Sequence, residues 1–144
     1  TFVSSTAWTE RVGFVSAIAT IDYFIKHNVG NTIKKNSKYL KEGWKKLAKK
    51  NNLKIDVNEF LGMPSFSFDY SKINEKLHTY FTELMLKKGY LATNGLTVTY
   101  AHKKKDIDKY LKNCDNVFKI ISKSIKKNKI NLKSRVRVLT YQKI

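Results

Sequence analysis

The sequence has few of the residues that build disulfides, metal sites or phosphate-binding loops. It contains one cysteine, Cys114, so no intrachain disulfide can form. The three histidines, His27, His78 and His102, lie 51 and 24 residues apart with no cysteine or carboxylate at metal-ligand spacing, which argues against a zinc site. The six glycines form no phosphate-binding loop. The chain by itself therefore contains no complete catalytic constellation.

Long apolar runs are also scarce. The most apolar stretch, from Val12 to Ile25, is interrupted by Ser16, Thr20 and Asp22 and is shorter than the roughly 20 residues that a bilayer requires. We therefore expect no membrane span. The N-terminus has no basic segment and small-residue cleavage site of the kind that marks a signal peptide. With a single cysteine, this pattern predicts a cytoplasmic protein.

Acidic residues are few, at 11 against 29 basic residues, which gives a formal net charge of +18. Such a charge favours binding to nucleic acid or another polyanion. However, 26 of the basic residues are lysine and only 3 are arginine, whereas phosphate and base recognition depends on the forked donors of arginine. A solvated lysine-rich surface is the favoured interpretation. The alternative is a non-catalytic basic module that binds nucleic acid or another polyanion through the helix at Lys34–Lys50.

The apolar residues are numerous enough for one globular unit with a core. Hydrophobic residues make up 42% of the 144 positions, and 18 residues are aromatic. Residues 10–27 are apolar on almost every side, which predicts a buried helix. A break at Asn28–Gly30 precedes an amphipathic surface helix that continues to Lys50.

The remaining sequence predicts a mixture of strands and helices. Apolar residues alternate over 53–57 and 66–68, which predicts two strands. A helix from Ser71 to about Lys88 stops at Gly89, and residues 91–100 predict a short strand pair or hooked strand around Asn94-Gly95. A long amphipathic helix covers about 104–127, with Cys114 on its apolar stripe as a small buried hydrophobe. This order predicts an α+β fold with an antiparallel or mixed sheet.

One segment favours a ligand contact. The hydroxyl residues Ser4, Ser5 and Thr6 directly precede the first helix, where unpaired backbone N–H groups could help them bind an anion or a phosphate. Ordinary helix capping is the other interpretation, and the residues alone favour it.

Three segments of the sequence occur in a characteristic order: SSTAWTERVG at 4–13 followed by AIATI at 17–21, GYLA at 89–92, and YAH at 100–102 followed by DI at 106–107. Together they resemble the last third of class III aminotransferases of the glutamate-1-semialdehyde aminomutase type, over about residues 1–127. The first resembles the opening of that third, the second its helix-to-strand turn, and the last its final strand-to-helix junction.

The resemblance implies the C-terminal part of an α/β transferase fold. Residues 1–27 would end the large cofactor-binding domain, and residues 28–50 would form a long interdomain helix. Residues 51–127 would form a small α+β domain with a three- to four-stranded, mainly antiparallel sheet covered by helices. The tail at 128–144 remains unassigned.

The resemblance also implies an activity. The family uses pyridoxal 5'-phosphate to transfer an amino group to or within a small carbonyl substrate, and it works as a homodimer. Thr6 matches a threonine that reaches the cofactor phosphate of the neighbouring subunit, and Ser5 would help to shape that loop. No nucleic acid or membrane partner, catalytic residue or metal ligand is assigned.

Three positions, where the sequence either matches the family's pattern or departs from it, refine these expectations. His102 matches a position that orders the last strand. Asn94 stands where the semialdehyde-processing members tend to carry an acidic residue, which favours a related aminotransferase. The family's Schiff-base lysine precedes the hydroxyl-rich loop, so none of the 26 lysines occupies its position and this chain alone is expected to be inactive.

Overall fold

The computed structural model describes residues 10–138, which comprise four α-helices and one two-stranded sheet. The chain divides into two compact units, residues 1–32 and 33–144. The predicted α+β arrangement is confirmed within the described residues.

The first unit contains helix α1, Val12–Lys26, and the beginning of helix α2, Val29–Lys50. Asn28 separates the two helices with a positive φ of 50°, as the predicted break requires. The prediction that the first helix is buried is wrong for this chain, because none of its residues is buried. A helix that is apolar on every face needs neighbours on every side. Large apolar side chains of α1 are instead 47–72% exposed: Val12, Phe14, Val15, Ile18, Ile21, Tyr23, Phe24 and Ile25. Even so, no helix within residues 10–138 is long and apolar enough to cross a membrane.

The second unit begins within α2 and continues into a short antiparallel hairpin. Strand β1, Ile55–Val57, pairs with strand β2, Phe66–Phe68, with Ile55 opposite Phe68 and Val57 opposite Phe66. Both phenylalanines of β2 are buried while the serine between them is exposed, which is the period-two pattern of the sequence. The two predicted strands are confirmed.

The sheet is smaller than predicted, because residues 91–100 add no strand to it. Only an isolated bridge joins Gly95 to Ser65. The Asn94 carbonyl accepts a hydrogen bond from the Phe66 N–H at 2.9 Å, but the Asn94 side-chain amide donates to the Phe66 carbonyl at 3.0 Å. A side chain thus occupies the acceptor that a backbone ladder would use, and the pairing stops there.

Two further helices cover the hairpin. Helix α3, Asn74–Leu86, follows a single 3₁₀ turn at Ser71–Ile73 and is followed by Gly89, whose φ of +80° glycine adopts at little cost. Helix α4, Lys104–Lys126, carries the predicted apolar stripe, and Cys114 is fully buried on it. Both predicted helices are confirmed to within a few residues.

The core of the second unit is centred on Phe66. Its ring meets those of Trp44, Phe68, Phe81 and Phe118 at centroid distances of 5.1–5.7 Å in edge-to-face arrangements. Each of these five side chains is at most 1% exposed. The cluster packs α2, β2, α3 and α4 against one another and so stabilises their arrangement in this unit.

Candidate functional site

One cavity of the second unit lies between helix α3 and the segment that follows α4. Its volume is about 550 Å³. Hydroxyl, leucine and charged side chains all line it. The lining residues are Thr79, Thr82, Glu83, Leu86, Lys87, Thr93, Lys133, Ser134 and Arg137.

One face of α3 holds the C-terminal segment in place. Glu75, Thr79 and Glu83 follow one another at intervals of four residues, so their side chains lie on the same face of the helix. The Glu83 carboxylate accepts hydrogen bonds from the Lys133 N–H at 2.9 Å and the Ser134 N–H at 2.7 Å. The Ser134 hydroxyl also donates to it at 2.6 Å. The helix thereby supplies the acceptors that a neighbouring strand would otherwise provide.

Arg137 lies at the other end of the same face. Its backbone N–H donates to the Thr79 hydroxyl at 3.1 Å, and its Nε donates to the Glu75 carboxylate. A guanidinium N–H also donates to Asn94 Oδ1 at 3.3 Å. Because Asn94 is in turn bonded to Phe66, the guanidinium is connected to the core hairpin through Asn94. Its side chain remains 35% exposed beside the cavity.

The surroundings shift the protonation of two groups near this cavity. Burial raises the pKa of Glu83, but the hydrogen bonds from Ser134 and Lys133 outweigh it, so the pKa lies below its ordinary value and the carboxylate form is favoured. Burial, with a smaller contribution from Arg137, lowers the pKa of His78 from 6.5 to about 4 against an opposing effect of Glu75. His78 is therefore neutral at pH 7, and its Nε2 accepts from the Phe68 N–H at 3.4 Å.

The residues predicted to contact the cofactor, Thr6 and Ser5, lie outside the described residues. The described part of the chain does not form a pyridoxal phosphate site by itself, since such a site needs a lysine that forms a Schiff base and an acidic or basic partner for the pyridine nitrogen. Lys87 and Lys133, which line the cavity, are both exposed, and the Glu83 carboxylate accepts hydrogen bonds from the C-terminal segment. The cavity therefore does not fit that cofactor.

Two other residues from the sequence analysis, His102 and Cys114, have structural roles. His102 Nδ1 accepts from the Thr99 N–H at 2.9 Å, and the His102 carbonyl accepts from the Asn36 side chain at 2.8 Å, so this histidine orders the turn before α4. Burial raises the pKa of the Cys114 thiol to about 12, which leaves it without thiolate character. Within residues 10–138, no group of three or more potential ligands could hold a metal ion.

Sequence reasoning missed the residues that bind the C-terminal segment. The spacing of Glu75, Thr79 and Glu83 at intervals of four residues indicates a polar stripe on α3, and this pattern could have identified them. Nothing in the sequence around Arg137 indicates its partners, because they are 43 to 62 residues away.

The comparison with known proteins concerns the fold. No protein-family model matches the chain. Among solved structures, it is similar to the pyridoxal phosphate (PLP) internal aldimine form of the FumI protein of Sphingopyxis sp. MTA144, with a TM-score of 0.78 and 18% sequence identity. The similarity covers 88% of this chain and 31% of that chain. The chain thus has the fold of about a third of a protein that carries PLP as an internal aldimine.

Proposed function

We propose that this chain is the C-terminal portion of a cytoplasmic, PLP-dependent class III aminotransferase or aminomutase. The observation that carries the proposal is the agreement in fold with part of a PLP-containing protein over 88% of the chain. The three sequence segments that resemble class III enzymes, in the family's order, support the same assignment independently.

In this proposal the chain supplies the small domain, and the chemistry occurs elsewhere in the enzyme. PLP serves as an electron sink when an amino group is transferred to or within a carbonyl substrate. As the resemblance to class III enzymes implies, the proposal places the Schiff-base lysine in a part of the polypeptide that precedes the hydroxyl-rich loop. The described residues contribute a folded unit, which the packing around Phe66 and the hydrogen bonds of the polar face of α3 stabilise.

The exposed apolar surface of α1 supports the proposal that this chain is part of a larger enzyme. Its eight large hydrophobic side chains are 47–72% exposed, which is unusual for a helix with so few polar positions. In the complete enzyme we expect the rest of the large cofactor-binding domain to cover them.

The cofactor contact is the part of the proposal that a single substitution tests. Thr6, aided by Ser5, would donate a hydrogen bond to the cofactor phosphate of the partner subunit in a homodimer. Thr6→Ala in the full-length polypeptide is then expected to weaken PLP retention by roughly tenfold, the usual effect of losing a hydrogen bond to a charged group. The measurement is the loss of visible Schiff-base absorption during dialysis.

A matched control is Thr97→Ala, because Thr97 is exposed on the small domain. It is expected to leave PLP retention unchanged. Equal retention in the Thr6→Ala and wild-type proteins would contradict the proposed phosphate contact while leaving the proposed family untouched.

The family itself is tested by the size of the natural polypeptide. An antibody raised against this chain should detect a band about three times larger than 16.7 kDa, the size of a two-domain enzyme. A polypeptide of 16.7 kDa in the source cells would mean that the cell makes the segment without its catalytic lysine, and the enzyme assignment would fail.

A further inference from the structure

The sequence contains one Asn-Gly pair, Asn94-Gly95, and it lies where the core hairpin meets the C-terminal segment. Of the twelve asparagines, only Asn94 precedes a glycine. This dipeptide is open to deamidation, because glycine has no Cβ to hinder the approach of its backbone nitrogen to the asparagine amide carbon. The reaction needs only water, and it turns an amide into a carboxylate.

Hydrogen bonds hold both polar atoms of the Asn94 side chain. Its Nδ2 donates to the Phe66 carbonyl at 3.0 Å, and its Oδ1 accepts from the Arg137 guanidinium at 3.3 Å. The backbone carbonyl of Asn94 accepts in addition from the Phe66 N–H at 2.9 Å. Deamidation requires the side chain to turn onto the Gly95 nitrogen, and a side chain bonded to Phe66 and Arg137 is not free to turn.

The nitrogen of Gly95 is restrained much less. Within the described residues its N–H makes one long contact, to the Thr93 hydroxyl at 3.4 Å. The bridge to the hairpin uses the next N–H instead, since that of Leu96 donates to the Pro64 carbonyl at 3.0 Å. The restraint on the reaction therefore lies in the Asn94 side chain and not in its nucleophile.

We propose that Asn94 is a deamidation site whose rate the C-terminal segment controls through Arg137. The reaction proceeds from a locally opened state, so its rate follows the population of that state. Arg137 is itself held on α3 by the Glu75 carboxylate and the Thr79 hydroxyl, so release of the segment also frees the Asn94 amide. This inference does not rest on the proposed function, because it uses contacts within the second unit alone.

The atoms of the reaction balance without a cofactor. The Gly95 nitrogen forms a bond to Asn94 Cγ, and the bond between Cγ and Nδ2 breaks. Nδ2 leaves as ammonia with the proton of the Gly95 N–H. Water then opens the five-membered imide at either carbonyl and gives aspartate or isoaspartate.

The product changes the contacts of residue 94. A carboxylate has no N–H, so it cannot donate to the Phe66 carbonyl as the amide does. It forms an ion pair with the Arg137 guanidinium instead. Isoaspartate also lengthens the backbone by one carbon beside the bridge between Gly95 and Ser65. Deamidation therefore weakens the contact with the hairpin and strengthens the contact with the C-terminal segment.

The experiment follows deamidation of the full chain by mass spectrometry, in native buffer and in urea. Trypsin cleaves after Lys88 and Lys103, and the resulting peptide 89–103 contains no asparagine or glutamine besides Asn94. We expect deamidation to be at least about tenfold slower in the native chain than in urea, because the side chain must first leave its hydrogen bonds. Arg137→Met should accelerate the native reaction about fivefold, the usual effect of one lost hydrogen bond, and should not change the rate in urea.

The charge-matched control is Arg135→Met. Arg135 is exposed on the same segment, so its loss should change the native rate less than about twofold. Glu75→Gln keeps Arg137 but removes the charge of its partner, so it should also accelerate the native reaction. Circular dichroism verifies the fold of each variant, and Glu75→Gln decides the test if Arg137→Met does not fold.

Gly95→Ala tests the nucleophile. A Cβ at this position would meet Ser65 Cβ at 3.6 Å and the Pro64 carbonyl oxygen at 3.7 Å, which are ordinary contacts, so alanine fits the fold. In urea it should slow deamidation, because the methyl group hinders the attacking nitrogen.

Three results would overturn the proposal. The first is deamidation of the native chain at the rate seen in urea, and the second is an intact Asn94 after the same incubation in urea. The third is a native rate in Arg137→Met equal to that in Arg135→Met, or, where Glu75→Gln decides, a rate equal to that of the wild type.

Discussion

The Glu83 carboxylate accepts two hydrogen bonds from Ser134, one from its N–H at 2.7 Å and one from its hydroxyl at 2.6 Å, although the two residues are 51 positions apart. The Lys133 N–H adds a further bond to the same carboxylate. Glu83 therefore holds the segment after α4 at Lys133 and Ser134, while Thr79 and Glu75 hold it at Arg137. The wall of the 550 Å³ cavity depends on this contact.

Glu83→Gln should loosen the C-terminal segment from α3 at Lys133 and Ser134, while the contacts of Arg137 remain. The amide lacks the charge of the carboxylate and offers one acceptor oxygen, so we expect a loss of about 1–3 kcal/mol in the free energy of unfolding. Hydrogen exchange at the Lys133 and Ser134 amides should accelerate. The control Glu42→Gln alters an exposed glutamate of α2 and should change stability by less than about 0.5 kcal/mol.

The same contact should respond to acid. The pKa of Glu83 is lowered in the folded chain, so its stabilising contribution is complete above the ordinary value of 4.5 and is lost as the pH falls through the folded pKa. Below that range, the wild type and Glu83→Gln should have similar amide exchange rates at Ser134. A difference that persisted in full at low pH would show that the carboxylate charge is not what holds the segment.

His78 should make stability depend on pH in a higher range. Because the folded pKa is about 4 and the ordinary value is 6.5, the unfolded chain binds the proton first, and stability falls as the pH drops from 6.5 to about 4. From this residue alone we expect a loss of about 2 kcal/mol between about pH 7.5 and about pH 5. Urea unfolding at the two pH values measures it.

The matching variant is His78→Gln, whose side-chain oxygen can replace Nε2 as the acceptor for the Phe68 N–H. Its stability should change less between the two pH values than that of the wild type. Equal pH dependence in the two proteins would contradict the assignment of a neutral, buried His78.

Phe66 should be the most sensitive position of the second unit. It is 1% exposed and contacts five aromatic rings, that of His78 included, so Phe66→Ala should destabilise the unit by about 3–5 kcal/mol through lost burial and a new cavity. Phe60→Ala is the matched control, since Phe60 is 65% exposed in the loop after β1 and should change stability little. Denaturant midpoints compare the two, and similar losses would contradict the packing of Phe66.

The apolar surface of α1 should cause the isolated chain to self-associate. Replacing Ile18 and Ile25, which are 61% and 72% exposed, with lysine should shift the sedimentation profile toward the monomer. Thr20→Lys adds the same kind of charge to the helix without removing a large apolar side chain and should have a smaller effect. A monodisperse wild-type monomer at high concentration would contradict this prediction.

Local patterns predicted the regular elements because each pattern reports on a few neighbouring residues. The apolar stripe of α4 and the alternation in β2 are set by helix and strand periods, and both elements form where the sequence indicates. Residues 91–100 show the limit of this reasoning. Their alternating pattern is compatible with a strand, but the Asn94 side chain takes the Phe66 carbonyl and ends the pairing.

The sequence alone determined the four helices, the two strands and the buried Cys114, since periodicity and apolar content act locally. It also carried the resemblance that assigns Thr6 and Ser5 to a cofactor phosphate, which stays a prediction. Tertiary structure decided which polar residues meet. Glu83 reaches Ser134, and Arg137 reaches Glu75 and Asn94, because chain folding brings distant positions to one face of α3. Burial of the Lys41 side chain, when Lys38 and Lys45 of the same helix are exposed, was decided in the same way, because burial depends on the elements packed around a residue and not on its own identity.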